Sequence, residues 1–344
     1  MQITIQRAID IISRFGHLQE DEAEAVMHQI MTGQATEAQI GAYLMGLRMK
    51  GETQEEITGS ARAMRANATP IPTRTDADLL DTCGTGGDKS GTFNISTTVA
   101  FVAAAAGIPV AKHGNRAATS KCGSADVLAA LGVNLDLTPE QVGQCIDDVG
   151  IGFLFAVKLH PAMKHAIGPR RQMGVRTMFN ILGPLTNPAG ASRQLMGVFA
   201  PDLTDFIAHV LGALGSKSAL VVSGYGGVDE LTTTGPNRIS HLENGQVTTY
   251  DLDPLELGFE GAHISDLLGG EPEENAAILR GVLAGTVDGP KRDVVILNGG
   301  AALLAAGRVA DLQSGIAEAR ALIESGAALA KLEEFIRHTQ RFAL

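Results

Sequence analysis

The sequence predicts an α/β protein: a small all-helical domain joined to a large α/β domain whose central, mostly parallel sheet is flanked by helices. Three observations lead there. Apolar residues recur at helical spacing through residues 1–70, and no strand pattern interrupts them. From Leu79 onward, short apolar runs alternate with amphipathic segments, the pattern of successive βα units. A chain of 344 residues also exceeds what one hydrophobic core usually supports, roughly 250–300 residues, so a second domain is expected.

Residues 1–70 divide into four short helices closed by Gly16, Gly33 and Gly51, since a residue without Cβ readily enters the left-handed conformation that ends a helix. Thr36 with Gln39, and Thr53 with Glu56, have the spacing of a capping box, which satisfies the free N–H groups of a helix start. The proline-rich, polar passage from Thr69 to Asp76 cannot continue a helix and reads as a linker, so the second domain is expected over 75–344. Its strands are expected at Leu79–Thr82, Ile108–Ala111, Ile151–Ala156, Leu195–Phe199, Ala219–Ser223 and Asp293–Asn298. Helices at Ile95–Ala106, Pro139–Val149 and Leu203–Leu214 lie between them, each with a glycine close to its end. Asn244-Gly245, between Arg238–Leu242 and Gln246–Asp251, is a two-residue hairpin signal and predicts a late antiparallel excursion. The stretch 160–190, with Arg, Met and Phe at helical spacing, breaks the βα rhythm, and part of it is expected to rejoin the helical domain.

Composition narrows the function. Apolar residues make up 44% and charged residues 19%, without low-complexity tracts, so the chain can bury a core throughout. A formal net charge of -11 opposes attraction to nucleic acid or to an anionic membrane, and an anionic small substrate would need a locally basic pocket. Cys83, Cys122 and Cys145 are too scattered for a disulfide framework or a zinc site, which points to the reducing cytoplasm. Met1–Asp10 lacks the features of a signal peptide, and the apolar run Val99–Ala106 is too short to span a bilayer.

Three constellations carry chemistry. The first is Gly84-Thr85-Gly86-Gly87-Asp88 after a short strand, where glycines let the backbone turn sharply and bring N–H groups against an anion such as pyrophosphate. A plain tight turn would look the same; neither the Walker A nor the GxGxxG pattern is present, which disfavours ATP and NAD. The second is Asn94-Ile95-Ser96-Thr97, an ordinary helix cap taken alone, but one that the glycine loop feeds directly, so its N–H groups and dipole would face the same anion. The third, Lys112-His113-Gly114-Asn115-Arg116 followed by Ser120, Lys121 and Gly123-Ser124, gathers cations where open α/β sheets place ligands. A solvated basic loop is the alternative.

Together these motifs resemble the anthranilate phosphoribosyltransferase family, as do His160-Pro161-Ala162-Met163, the run from Arg170 through Gly174-Val175-Arg176-Thr177 to Leu185, and Asp229-Glu230, all in the family's order across most of the chain. Departures are mild: Thr119 where the family commonly has Ser, Met173 in place of Leu, and Val157 and Leu159 ahead of His160. The resemblance implies that Gly84, Gly87, Asp88, Thr92, Asn94, Ile95, Ser96, Thr97, Lys112, His113, Gly114, Asn115, Arg116, Ala117, Ala118, Thr119, Ser120 and Ser124 bind phosphoribosyl pyrophosphate (PRPP). It implies that Gly84, Asn115 and Arg170 contact anthranilate, a carboxylate well matched by the planar fork of Arg170. It further implies two Mg²⁺ ions per subunit held by Ser96, Asp229 and Glu230, and a homodimer through the helical domain with Ile40, Leu44 and Leu47 as core or contact. By its own chemistry His113 is the one candidate for moving a proton, with a purely structural role as the alternative. Two rivals remain at this point: a pyrimidine nucleoside phosphorylase, which normally carries an additional C-terminal domain, and a non-catalytic nucleic-acid-binding relative, which the negative charge opposes.

Overall fold

The computed structural model describes residues 3–117 and 120–343. Its first segment holds α1 (Ile5–Ser13), α2 (Glu20–Met31), α3 (Glu37–Lys50) and α4 (Gln54–Ala66), with no strand among them. Both expected capping boxes form: Thr36 and Gln39 exchange hydrogen bonds between side chain and backbone at the start of α3, and Thr53 and Glu56 do so at α4. Glu56 then does more than cap. Its Oε1 accepts from the Leu18 N–H at 3.0 Å, and its Oε2 accepts from Lys50 Nζ and the Thr53 N–H, both at 2.8 Å. The Lys50 and Glu56 side chains are only 2% and 0% exposed. Gly59 brings α4 against α2, because a Cβ there would lie 2.1 Å from the Glu20 carbonyl oxygen.

The second segment is built on seven strands, β1 (Leu80–Gly84), β2 (Val110–Gly114), β3 (Ile151–Phe155), β4 (Arg193–Gly197), β5 (Ser218–Ser223), β6 (Asn237–Glu243) and β7 (Gln246–Leu252). They form one sheet in the order β3-β2-β1-β4-β5-β6-β7. β1 to β5 are mutually parallel, so their C-terminal ends share one edge, while β6 and β7 add antiparallel through the expected Asn244-Gly245 turn. The helices around the sheet are α5 (Ile95–Ala105), α6 (Ser124–Ala130), α7 (Pro139–Val149), α8 (Ala156–Leu159), α9 (Lys164–Met173), α10 (Phe179–Leu182), α11 (Leu203–Ala213), α12 (Pro272–Leu283), α13 (Pro290–Ala305), α14 (Leu312–Glu324) and α15 (Ala327–Gln340).

Alternation along the strands assigns the two faces of the sheet to two cores. Leu220 and Val222 of β5 join a core with α5, α13 and α15, whereas Ala219 and Val221 join one that runs through α11 into α1 to α4. Phe179, Leu182 and Leu185 from the 160–190 stretch belong to this second core, and α9 packs on α2 and α3. The helical segment therefore shares its apolar interior with one face of the sheet.

One expected strand is not a strand. Asp293–Asn298 lies inside α13, which opens with Pro290 at its first turn and runs 16 residues. The apolar run Val294–Leu297 is buried on all sides, and a short fully buried run carries no period by which to tell strand from helix. Beyond it, Gly300 lets α13 meet α14 at backbone distance, since a Cβ would stand 2.6 Å from the Ile316 nitrogen.

Breaking a buried ion pair leaves one charge and its partners unsatisfied, so Glu56→Ala is expected to cost about 3–5 kcal/mol of stability. Chemical denaturation would measure it; a loss below about 1 kcal/mol, the scale of an exposed pair, would mean that the Lys50–Glu56 hub is not a structural keystone.

Candidate active site

The loop after β1 is left-handed at three glycines, Gly86, Gly87 and Gly91, with φ of 68°, 70° and 71°. It is tied across the sheet to the turn that carries the two adjacent carboxylates. The Gly86 N–H donates to Asp229 Oδ2 at 2.6 Å, and Asp88 Oδ2 accepts from the Asp229 N–H at 3.4 Å. Gly84 and Gly197, paired at the ends of β1 and β4, make room for that turn. A Cβ on Gly84 would lie 2.4 Å from Asp229 Oδ2, and one on Gly197 would lie 1.5 Å from the Asp229 carbonyl oxygen. Thr92 shares a 3.2 Å hydrogen bond with Ser90 further along the same loop.

The start of α5 comes to the same place. The Ser96 N–H donates to Glu230 Oε1 at 3.1 Å, so both neighbouring carboxylates anchor on backbone donors of the expected anion-binding elements. Lys112 reaches over from β2, buried, with Nζ donating to the Thr82 carbonyl at 2.5 Å and to Ser96 Oγ at 3.4 Å. Thr97 Oγ1 is buried without a partner among the described residues. Ile95 is buried, and its N–H is taken by the Phe93 carbonyl at 2.7 Å. The Asn94 side chain is likewise occupied: Nδ2 donates to the Cys122 carbonyl and Oδ1 accepts from Asn275 Nδ2 at 3.0 Å.

At the end of β2, the His113 N–H donates to Asp81 Oδ1 at 3.0 Å, while Asn187 Nδ2 bridges Asp81 Oδ2 and the Ala111 carbonyl, both at 2.8 Å. The His113 and His160 rings meet at Nε2 atoms 3.2 Å apart. Burial, together with the neighbouring His160, pushes His113 down to about 3, and burial pushes His160 down to about 4. Gly114 leaves space for Ser124 Oγ, which hydrogen-bonds the Asn115 backbone at 3.1 Å. Arg116 pairs with Asp126 at 2.8 Å, and Asp126 also accepts from the Ala117 N–H at 2.9 Å. Ser120 Oγ reaches the Cys122 carbonyl at 3.5 Å, whereas Ala118 and Thr119 lie outside the described residues.

Arg170 stands on α9 with its guanidinium over the Phe179 ring, 5.0 Å from the centroid. Burial lowers its pKa, and among the described residues it makes no side-chain hydrogen bond or ion pair. Asp81, Asn187, Asn275 and Arg176 were not assigned a role from the sequence. Asn187 meets Asp81 across 106 residues of chain, and no signal local to it in the sequence marks that pairing.

The two carboxylates fit a divalent cation. Burial and then the neighbouring acid raise both groups, Asp229 to about 7 beside Asp88 and Glu230 to about 8 beside Asp229. Each spends one oxygen on a backbone N–H, and the other makes no hydrogen bond among the described residues. No group of three or more His, Cys, Asp or Glu among the described residues is arranged to hold a metal by itself. Such a site suits Mg²⁺, which takes one or two carboxylates and completes its shell with substrate phosphate oxygens and water.

Residues 76–329 match the glycosyl transferase family, a/b domain, and residues 6–68 match the helical bundle domain of the same family. The fold and site thus define a glycosyl transferase with a helical bundle before its α/β domain. The chain is 55% identical over 327 residues to the anthranilate phosphoribosyltransferase of Moorella thermoacetica, covering 95% of this chain and 96% of that one. The solved anthranilate phosphoribosyltransferase of Thermus thermophilus matches with a TM-score of 0.92 at 45% identity, over 97% of this chain and 99% of that one. That of Saccharomyces cerevisiae in complex with PRPP and Mg matches with a TM-score of 0.89 at 27% identity, over 98% of each chain. The chain belongs to the anthranilate phosphoribosyltransferase family, and the two rival readings fall away.

The raised carboxylates have a consequence for stability. Unfolded Asp and Glu titrate near ~4, so between that pH and about 8 the folded chain keeps protons that the unfolded chain has released. Unfolding then releases protons, and stability of the substrate-free protein falls as pH rises through this window. Glu230→Gln mimics the protonated acid and should flatten the decline: thermal midpoints measured from pH 5 to pH 8.5 should fall less in the variant than in the native protein. Parallel curves would mean that Glu230 is ionised throughout.

Proposed function

We propose that this enzyme transfers the phosphoribosyl group of PRPP to the amine of anthranilate, forming N-(5-phosphoribosyl)anthranilate and pyrophosphate in tryptophan biosynthesis. The observation that carries the reading is the anchoring of Asp229 on Gly86 and of Glu230 on Ser96. Two buried acids set against two anion-binding backbone elements make sense when a cation lies between them and phosphates. Ser96, Asp229 and Glu230 would hold Mg²⁺, with two ions per subunit as the proposed number. A cation held there would supply positive charge against the pyrophosphate as it leaves.

The chain's own groups do the rest by position and charge. The Gly87 and Asp88 N–H groups of the 84–88 loop and the helix dipole at the start of α5 would face the departing pyrophosphate, and Lys112 stands buried behind them with Nζ on the Thr82 carbonyl. The Asn94 side chain, tied to Cys122 and Asn275, shapes the loop and keeps its second Nδ2 hydrogen for substrate. Arg170 offers an unpaired, half-desolvated fork to the carboxylate of anthranilate and, with Asn115 and Gly84, aims the amine at the anomeric carbon. An aryl amine is already unprotonated near neutral pH, so attack needs no strong base. His113, pushed down to about 3, stays uncharged there and is better suited to aligning β2 than to proton transfer.

Residues 1–70 with part of 160–190 form the anthranilate side of this site, and the remainder of 75–344 forms the PRPP side. The cytoplasm is the location we propose, supported by three free buried thiols at Cys83, Cys122 and Cys145. No described helix is long and apolar enough to cross a membrane. We also propose a homodimer. Ile40, Leu44 and Leu47 belong to the monomer's core, at 1%, 0% and 0% exposure, so the contact would fall instead on exposed apolar side chains such as Met49, Ile167 and Val175. Sedimentation at micromolar concentration should show a dimer; a monomer rejects it.

Incubation with anthranilate, PRPP and Mg²⁺ should deplete anthranilate fluorescence in a metal-dependent way, and no loss of fluorescence would overturn the assignment. In the same assay Arg170→Ala should lower kcat/KM for anthranilate by about 1.5–3 kcal/mol, the worth of a hydrogen bond to a charged group, with KM for PRPP little changed. Equal losses for both substrates would make Arg170 a structural residue.

A further inference from the structure

Arg176 lies in the turn between α9 and α10, outside the residues assigned to either substrate. We infer that Arg176 is a positioning residue that couples occupancy of the glycine loop to the affinity of the Arg170 side of the cleft for anthranilate, an inference that rests on the function proposed above. Its guanidinium touches two things. Nη2 donates to the Gly87 carbonyl, and the fork lies over the Phe199 ring at 4.2 Å from the centroid. Its backbone is held from the helical side, where Arg48 Nη1 of α3 donates to the Arg176 carbonyl at 2.5 Å.

The path back to Arg170 is short and stiff. Gly174, at φ 63°, closes α9 with its N–H on the Arg170 carbonyl at 3.2 Å, and the Thr177 N–H is fixed by Asn180 Oδ1 at 2.9 Å. Arg176 therefore sits between two capped turns, and a shift of the glycine loop is passed to the helix that carries Arg170.

The grip on Gly87 also matters to the anion. In a trans peptide the C=O and the next N–H point in opposite directions. Holding the Gly87 carbonyl on the α9 side turns the Asp88 N–H away from it, as an anion-binding loop requires. An anion on those N–H groups polarises the peptides and strengthens the bond that Arg176 makes to the carbonyl, since linked hydrogen bonds reinforce one another. No carboxylate pairs with Arg176 or Arg48 among the described residues, so neither cation is drawn elsewhere.

The test titrates anthranilate, by its own fluorescence, against the full-length protein with and without saturating Mg²⁺ and pyrophosphate. In the native protein pyrophosphate should tighten anthranilate by at least about fivefold, the lower end of ordinary coupling between sites. In Arg176→Ala the two affinities should agree within about twofold, a loss of that coupling. Arg176→Lys, which keeps the charge but cannot both hold the carbonyl and cover Phe199, should lose more than half of the factor and carries the test if the Ala variant does not fold. Native-like coupling in a folded variant overturns the inference, as does the absence of coupling in the native protein. A variant that binds pyrophosphate weakly yet couples normally once saturated makes Arg176 a direct ligand and overturns it too. Turnover of the native protein separates this failure from failure of the proposed function.

Discussion

The close approach of the 229–230 turn to the paired ends of β1 and β4 is the constraint on which the site depends. Gly84 and Gly197 are partners in the parallel ladder, and each leaves the volume of a Cβ empty for Asp229 to fill. The sheet order makes this meeting inevitable. From β1 the chain passes through α5 to β2 on one side, while β4 leads through α11 to β5 on the other, so the loops diverge and a crevice opens at the strand ends. The carboxylates enter that crevice from β5's side, and the glycine loop and α5 enter it from β1's side. A larger residue at either glycine would part the two halves.

Electrostatics in the crevice are arranged by burial more than by net charge. Lys112 lies among Thr82, Ser96, Asp81 and Glu230; burial lowers its pKa, while the two acids raise it. Asp81 is raised by burial and held in check by Lys112, Asn187 and the His113 N–H. A chain carrying an overall charge of -11 thus keeps a buried amine donor directly behind its anion-binding backbone. The formal charge opposes nucleic acid as a partner but says nothing about this arrangement, which arises only when β1 and β2 pair.

Local signals account for much of what is legible in the sequence. Capping boxes at Thr36 and Thr53, the Asn244-Gly245 turn and the strand-glycine-helix succession at 80–105 depend on neighbours in the chain, and each appears where its residues predict. Val294–Leu297 reads as a strand because complete burial erases periodicity, and only the packing of α13 against α5 and α14 decides its conformation. At the site, glycines and basic residues can be recognised as anion-binding chemistry from their order. Their supports cannot, since Asn187 lies 106 residues from Asp81 and Asn275 lies 181 residues from Asn94. A side chain whose task is to hold another side chain has no local pattern to betray it.

Those supports share one feature that bears on anion binding. Each fixes an acceptor at or beside the anion-binding elements. The Gly87 carbonyl faces Arg176, the Ser96 carbonyl accepts from Thr82 Oγ1 at 2.9 Å, the Thr82 carbonyl accepts from Lys112, and Asn94 Oδ1 accepts from Asn275. Carbonyl oxygens left free in such a loop would repel phosphate and would have to turn aside when it arrived. Fixing them on the outside in the folded chain means that the dipoles are oriented before substrate enters, and the reorganisation that water would require at the moment of reaction is avoided. The donors are Arg176, which acts on the glycine loop itself, and Lys112, Thr82 and Asn275, which act on β1 and the start of α5 beside it; each relieves the site of an acceptor.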